Sequence, residues 1–250
     1  LTSPVVGENR DGSGKTFLTA VCGADSYIDN YQYLYALRKV TVTGGAIAPQ
    51  AFYNCHNLTE IVLKEGVTSI GASAFYSCSL IAKMQVPDTL ADVASNAFLG
   101  CTKLLKQNYI GNDENPYVIL LQAEESGATL TVPAGTRVIY TKAFANISSN
   151  VKEVILPENG VRTICDEALA GLTLTKLSIP ASVTHMGFGV FYRCNSLREL
   201  TLPFVGTEKD SEENAYLGYL FGAATISDNK KMIPKSLVTL NVLGNITYAY

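Results

Sequence analysis

The sequence has no tryptophan and only two histidines, and charged residues make up just 16% of its 250 residues. His56 and His185 lie in different halves of the chain, whereas nucleophile–base catalysis needs its partners within hydrogen-bond reach. Basic residues number 19 against 22 acidic ones, so the chain lacks the basic footprint of a nucleic-acid-binding domain. These absences argue against a histidine-based active site and against a nucleic-acid partner.

Long hydrophobic runs are also absent. The longest run, YVILL at 117–121, suits a strand, since a membrane-spanning helix needs about 20 apolar residues. We therefore expect no membrane insertion within this chain. The chain opens at Leu1 without an apolar targeting segment, and its last residues, GNITYAY at 244–250, break off within a repeat. We expect it to be a piece of a longer parent protein.

The 47% of hydrophobic residues are organised in an internal repeat, the first pattern to look for in a chain of this kind. AFYSC at 74–78 recurs 23 residues upstream as AFYNC at 51–55 and 23 residues downstream as AFLGC at 97–101. The first position of this motif continues at Ala143, Ala168 and Val190, with one degenerate unit in between. The second position is phenylalanine in five of six copies, namely Phe52, Phe75, Phe98, Phe144 and Phe191.

Before each motif comes a segment with apolar residues at its first, fourth and sixth positions, as in LTEIVL at 58–63 and LRELTL at 197–202. The fourth and sixth side chains lie on one face of a short strand, and a proline often follows and ends the strand. One unit cannot bury its apolar face alone, whereas stacked units share a continuous core. The pattern predicts a solenoid with one short strand per turn in a parallel ladder.

The last motif position holds Cys55, Cys78, Cys101 and Cys194, and it holds isoleucine or leucine in the other two copies. Neighbouring rungs of a ladder lie about 4.8 Å apart, within reach of a disulfide, so the geometry leaves bridging open. Isoleucine and leucine form neither disulfides nor metal bonds, and the spacing lacks the close ligand pairs of structural zinc sites. The column predicts reduced cysteines that pack in the core as small hydrophobes, and no metal site.

The unit LTEIVLKEGVTSIGASAFYSC at 58–78 resembles the leucine-rich repeat of the BspA-like bacterial surface proteins, whose consensus reads LxxIxIPxxVxxIGxxAFxxC. The resemblance covers 37–101 and 129–202 and implies a leucine-rich-repeat solenoid, a β-rich fold of the α/β horseshoe class. The segment YIGNDENPYVILLQA at 109–123 is similar to a hairpin insertion in such proteins. The resemblance further implies an extracellular protein, secreted or anchored at the cell surface, that takes part in adhesion or binds host or other extracellular proteins. The family carries no catalytic motif and implies no cofactor.

A longer period overlies the short one, because LTSPVVG at 1–7 recurs as LTLPFVG at 200–206. We expect a loop-rich insert at 1–36, leucine-rich repeats at 37–203 with a degenerate unit and hairpin at 104–126, a second copy of the insert at 204–236, and the start of a further repeat at 237–250. The first insert contains DGSGKT at 11–16, but a phosphate-binding loop needs glycine where Asn9 stands. We predict a surface loop there.

Four tyrosines of the first insert, Tyr27, Tyr31, Tyr33 and Tyr35, are candidates for protein contact, and so is Tyr117 in the hairpin. Tyrosine combines a large contact area with a polar tip and is enriched at interfaces. The alternative is that the insert folds over the solenoid edge and buries these side chains. At the level of function, the alternative to a binding module is a passive spacer that projects other domains from the cell surface.

The third strand position reads Lys39, Glu60 and Lys83 in the first repeats, and Thr129, Glu153, Lys176 and Glu199 in the later ones. Alternating signs predict that opposite charges meet along the ladder, which leaves little net field on this face. We therefore expect a protein partner to dock on the inserts or the hairpin.

Overall fold

Most repeats begin with a strand in which buried and more exposed residues alternate, as the sequence pattern predicts. In the strand Lys83–Gln85, for example, Met84 is buried between two exposed residues. The computed structural model describes residues 35–209 and 211–244, together with the backbone of residues 2–3. The chain divides into two compact units, Leu1–Val118 and Ile119–Tyr250, called unit 1 and unit 2 below.

Unit 1 contains two parallel sheets. The first has the order β1-β2-β4-β6 and the second the order β3-β5-β7. Its strands are β1 Thr2–Ser3, β2 Lys39–Val42, β3 Gly45–Ile47, β4 Glu60–Leu63, β5 Val67–Ile70, β6 Lys83–Gln85, β7 Asp92–Val93 and β8 Tyr109–Ile110. A 3-10 helix spans Leu104–Lys106. Glu60 lies between Lys39 and Lys83 in the register of the first sheet, so successive repeats stack with equivalent residues opposite one another.

Unit 2 repeats this arrangement with an interruption. The second strands of its repeats form one parallel run, β9-β11-β13-β15, whereas the first strands form two separate sheets, β10-β12 and β14-β16-β17. The strands are β9 Ile119–Leu120, β10 Thr129–Thr131, β11 Val138–Ile139, β12 Glu153–Ile155, β13 Thr163–Ile164, β14 Lys176–Ser178, β15 His185–Met186, β16 Glu199–Leu202 and β17 Thr239–Val242. The predicted solenoid of parallel strands is confirmed.

The AFxxC motif forms the corner of each rung. The N–H of Phe52 donates to the carbonyl of Ala74, and the N–H of Phe75 donates to that of Ala97. Corners therefore stack through their own hydrogen bonds, in addition to the strand ladders. The residue before the cysteine column takes a left-handed backbone, with φ of 57° at Ser77 and 85° at Gly100. At position 100 only glycine fits easily, because a Cβ there would lie 3.0 Å from the Cα of Ser77.

The segment after β16 carries two short helices, α1 Leu217–Leu220 and α2 Asn229–Met232, joined through a 3-10 helix at Ile226–Asp228. Phe221 at the end of α1 packs against Phe191, with ring centroids 5.6 Å apart. The N–H of Phe191 donates to the carbonyl of Leu220. This segment thus supplies the next corner of the stack even though it lacks the AFxxC motif.

Candidate functional site

In both units the corner motif builds a buried aromatic and thiol core and not a reactive centre. Phe52 and Phe75 stack with centroids 5.1 Å apart, and Phe75 and Phe98 stack at 5.9 Å. All five motif phenylalanines, including Phe144 and Phe191, are buried. Their rings are therefore unavailable to a ligand, and any binding surface must lie elsewhere.

The cysteine column makes hydrogen bonds that the sequence did not reveal. Sγ of Cys78 donates to the carbonyl of Phe52 at 3.0 Å, and Sγ of Cys101 donates to that of Phe75 at 3.0 Å. Cys194 donates in the same way to Leu169. Each of these three thiols thus joins its own rung to the preceding one. The five described cysteines, Cys55, Cys78, Cys101, Cys165 and Cys194, form no disulfide bond with one another and are buried.

Burial also controls the acidity of these thiols. It raises the pKa of Cys101 to about 12 and that of Cys194 to about 11. For Cys78, burial again raises the pKa, and the neighbouring Cys55 adds to the effect. A thiol reacts and binds metal as its thiolate, so these side chains are suited to packing.

The described residues provide neither a cluster of metal ligands nor a membrane-spanning helix. Within 35–209 and 211–244, no group of three or more histidine, cysteine, aspartate or glutamate side chains is placed to hold a metal ion. Among the helices of the same residues, none is long and apolar enough to cross a membrane.

The charged column on the first strands is only partly paired. Nζ of Lys39 lies 2.7 Å from Oε1 of Glu60, and Nζ of Lys176 lies 3.1 Å from Oε2 of Glu199. Among the described residues, neither Glu60–Lys83 nor Glu153–Lys176 forms an ion pair; Glu153 instead accepts a hydrogen bond from the hydroxyl of Thr129. The sign alternation of the sequence therefore produces isolated pairs, not a continuous ladder.

The structure describes two of the five candidate tyrosines, Tyr35 and Tyr117. Tyr27, Tyr31 and Tyr33 lie outside the described residues. Tyr35 is 67% exposed, and its backbone carbonyl accepts a hydrogen bond from the guanidinium of Arg38 at 2.6 Å. The side chain of Tyr35 therefore presents its ring to solvent beside a fixed backbone.

Tyr117 belongs to a loop that is closed by side-chain hydrogen bonds. Oδ1 of Asn112 accepts hydrogen bonds from the N–H groups of Glu114 and Asn115, which is the Asx-turn chemistry typical of this residue type. The ring of Tyr117, 42% exposed, meets the ring of Tyr109 edge to face with centroids 5.2 Å apart. Burial raises the pKa of the half-buried Tyr109, and Tyr117 contributes as well. The loop therefore holds the ring of Tyr117 outward, packed against the ring of Tyr109.

A further feature, which the sequence analysis missed, lies on the first-strand face of unit 2. Among the described residues no backbone hydrogen bond joins β12 to β14. A cleft of about 780 Å³ lies over these two strands, lined by 152–156, 158–159, 176–181 and Leu243; we call it the strand gap. Ile155 and Leu243 on its walls are 43% and 59% exposed.

The spacing of the repeats is irregular around the strand gap. In regular repeats the first buried strand residue follows the motif alanine by ten positions, as Ile61 follows Ala51. Val154 instead follows Ala143 by eleven positions, and Leu177 follows Ala168 by nine. One connection is thus a residue longer than usual and the next a residue shorter, although Leu177 follows Val154 by the regular 23 positions.

Parallel strands, hydrogen-bonded corners and a phenylalanine core define this protein as a leucine-rich-repeat solenoid. Its sequence matches the family model described as the BspA type leucine rich repeat region, in six copies over residues 31–114 and 123–237. The chain therefore belongs to the BspA-type leucine-rich repeat family. This fold and family are typically non-catalytic, and they support a protein-interaction or surface module as the general class of function.

Three solved structures illustrate the likeness. A leucine rich cell surface protein of Faecalibacterium prausnitzii is 26% identical, over 69% of this chain and 40% of its own, with a TM-score of 0.34. The T. pallidum leucine rich repeat protein is 19% identical, over 84% and 72% of the two chains, with a TM-score of 0.32. The pneumococcal vaccine antigen PcpA is 13% identical, over 83% and 79%, also at 0.32.

The family assignment rests on the family model, because TM-scores this low carry no argument. The chain spans only 40% of the first of these proteins. Among curated proteins, none matches.

Proposed function

We propose that this chain is a non-enzymatic module of a bacterial cell-surface protein, located outside the cell, and that it binds host or other extracellular proteins in adhesion. The observation that carries the proposal is the aromatic pair at the 111–117 loop. Tyr117 is exposed, is held by Tyr109 beneath it, and stands on a turn closed by the side chain of Asn112. A rigid aromatic with a polar tip is the kind of anchor that dominates protein interfaces.

The charged column on the first strands is a less suitable binding surface, and this also favours the 111–117 loop. Its lysines and glutamates alternate in sign, and two of its pairs are closed. Exposed ion pairs of this kind contribute about 0.2–1 kcal/mol each to stability and leave no field of one sign to steer a charged partner. Tyr35, exposed at the start of the described repeats, offers a second aromatic contact point.

The test uses the full chain and a panel of purified host extracellular proteins immobilised for surface plasmon resonance. Tyr117→Ser, and separately the combined replacement of Tyr27, Tyr31, Tyr33 and Tyr35 by serine, should weaken binding about tenfold or more. Both should leave the melting temperature nearly unchanged, because the described side chains among them are exposed. Tyr192→Ser in unit 2 is the matched control and should bind as the parent chain does.

Two outcomes would contradict the proposal. If Glu60→Lys with Lys83→Glu abolishes binding while the tyrosine variants have no effect, the charged strand face is the site. If the parent chain binds no protein of the panel, the alternative of a passive spacer is the better description.

A further inference from the structure

We infer that the outer edge of β17 is a docking surface for a second copy of this chain, and that the two copies pair antiparallel through residues 238–242. The inference goes beyond the proposed function and involves none of its tyrosines. Three observations on β17 carry it: its open edge, its exposed apolar side chains and its lack of charge.

The first observation is that β17 is the last strand of its sheet. The sheet has the order β14-β16-β17, and among the described residues no strand pairs with the outer side of β17. The N–H of Thr239 donates to the carbonyl of Arg198, so Thr239 faces β16. Successive residues of a strand direct their backbone groups to opposite sides. Leu240 and Val242 therefore direct theirs outward, where another strand can bind them.

The chain itself shows how such an edge is covered, because β2 occupies the equivalent place in the first copy of the segment. β1 pairs with β2 in the same register in which β16 pairs with β17. On the other side of β2, the carbonyl of Val42 accepts a hydrogen bond from the N–H of Lys64, and β4 continues the ladder. The outer edge of β17 thus has the groups that accept a further strand.

The second observation is the exposure of apolar side chains that a neighbouring strand would cover. Val40 of β2 is 1% exposed, whereas Leu240 at the same strand position is 38% exposed, and Val238 beside it is 71% exposed. Val238, Leu240 and Val242 lie on one face of the strand, because alternate side chains of an extended chain share a face. An exposed apolar strand edge is a template for pairing with another chain.

The third observation is that this edge carries no charge. Residues 236–244 contain no charged side chain, whereas the first copy has Arg38 and Lys39 where Val238 and Thr239 stand. Natural proteins often protect edge strands with charged residues, lysine above all. An uncharged strand can also pair with an identical strand without placing like charges opposite each other. The favoured partner is therefore the same strand of a second copy.

The apolar spacing defines the register of the pair. An antiparallel arrangement centred on Leu240 places this residue opposite its equivalent, and it places Val238 opposite Val242, so every pair on this face is apolar. The backbone groups of Leu240 face outward, as a hydrogen-bonded pair at the centre requires. A contact of this kind has two-fold symmetry and closes at two copies. Because a single strand edge is a small surface, we expect weak association.

The test measures the mass of the full chain by sedimentation equilibrium from micromolar to millimolar concentration. The parent chain should change from monomer to dimer, with no larger species. Val238→Arg combined with Thr239→Lys introduces the residues that the first copy carries at these positions, so the fold should tolerate both. The added charges should raise the dissociation constant about tenfold or more. Circular dichroism checks that the variant remains folded.

The matched control is Ala224→Lys combined with Ile226→Arg. It adds the same charge at two exposed positions outside the strand and should leave the dissociation constant unchanged.

Cross-linking tests the register. In the proposed pair the two Leu240 Cα atoms lie about 5.5 Å apart, which is within the range of a disulfide. Leu240→Cys should therefore form a covalent dimer in oxidised glutathione, whereas Ile226→Cys and the parent chain should not.

Four results would overturn the inference. They are a chain that stays monomeric at millimolar concentration, growth beyond the dimer as in head-to-tail stacking, equal dimerisation of the charged variant, and no cross-link through Leu240→Cys. The tyrosine variants of the proposed function should dimerise as the parent chain does, so the two proposals fail independently.

Discussion

At the scale of single residues, the cysteine column shows how a corner is joined to its neighbour. The thiol is small enough for the tight turn and still donates a hydrogen bond to the carbonyl of the preceding rung, as Cys101 does to Phe75. Ile147 and Leu172 occupy the same column without a donor. Packing is therefore the shared requirement of the column, and the hydrogen bond is an addition that cysteine makes possible.

The reactivity of these thiols is a testable consequence. Alkylation proceeds through the thiolate, and burial raises the pKa of Cys101 to about 12 and that of Cys194 to about 11 from an ordinary 9.0. At pH 8 the native protein should therefore react about a thousandfold and a hundredfold more slowly at these two positions than the urea-denatured chain does. Mass spectrometry after timed labelling measures both rates. Rapid native labelling, or thiols still missing after denaturation, would contradict the buried, reduced column.

The same pKa shifts fix the direction of the pH dependence of stability. Because the folded-state pKa values are raised, the unfolded chain loses these protons first as the pH rises past 9.0. The contribution of the thiols is fully present below that value and is lost as the pH approaches 11 to 12. Urea midpoints measured from pH 7 to 11 should accordingly fall only at the alkaline end.

At the scale of elements, β12 and β14 are adjacent strands of one repeat type that fail to pair. Both carry the expected buried residue, Val154 or Leu177, and both pair normally with their other neighbour. The connections that lead into them, one residue longer and one residue shorter than usual, are what distinguish this pair from the regular repeats. A one-residue change in a connection shifts the register of a strand.

Hydrogen exchange would detect this interruption directly. Val154 and Leu177 occupy the same strand position, and the backbone of Leu177 faces the paired edge while that of Val154 faces the strand gap. The amide of Val154 should exchange at least about tenfold faster than that of Leu177, because only the latter is held in a ladder. NMR-detected exchange of the native chain measures both. Equal protection would mean that the ladder is closed in solution.

At the scale of the whole molecule, a solenoid is stabilised mainly by contacts between neighbouring repeats. Strands, corners and phenylalanine rings each connect one rung to the next, as the stack from Phe52 through Phe75 to Phe98 shows. Damage at one rung should therefore be felt locally before it is felt throughout the chain. The domain boundaries expected from the longer period of the sequence remain predictions.

Phe75→Ala tests this behaviour. The ring is fully buried between two others, so its truncation should lower the free energy of unfolding by about 3–5 kcal/mol. Amide exchange should accelerate first within Leu1–Val118. Leu99→Ala, at an exposed neighbour of the same core, is the control and should cost less than about 1 kcal/mol. A loss below about 1 kcal/mol for Phe75→Ala would contradict the stacked core.

Much of the architecture could be predicted because the same apolar pattern occurs in six copies of the repeat. The strand alternation at Lys39–Val42 or Glu199–Leu202, the parallel stacking and the corner phenylalanines all follow from apolar spacing, since a repeat can bury its face only against its neighbours. The charge alternation was equally visible, yet it predicted a continuous ladder where only two pairs close. Whether long side chains meet depends on their conformations and on strand pairing. Neither can be read from the residue types alone.

The candidate binding residues were likewise predictable only in part. Tyrosines could be selected by residue type alone, but the support of Tyr117 by Tyr109 depends on how the 111–117 loop closes, where a Cβ at Gly111 would collide with the backbone oxygen of Asn115. By itself the sequence determined the repeat, the strand direction and the buried columns, because these depend on the periodicity of apolar residues. Only the tertiary structure decided where the ladder stops and which backbone groups are left open, because pairing between strands depends on the geometry of the connections on either side.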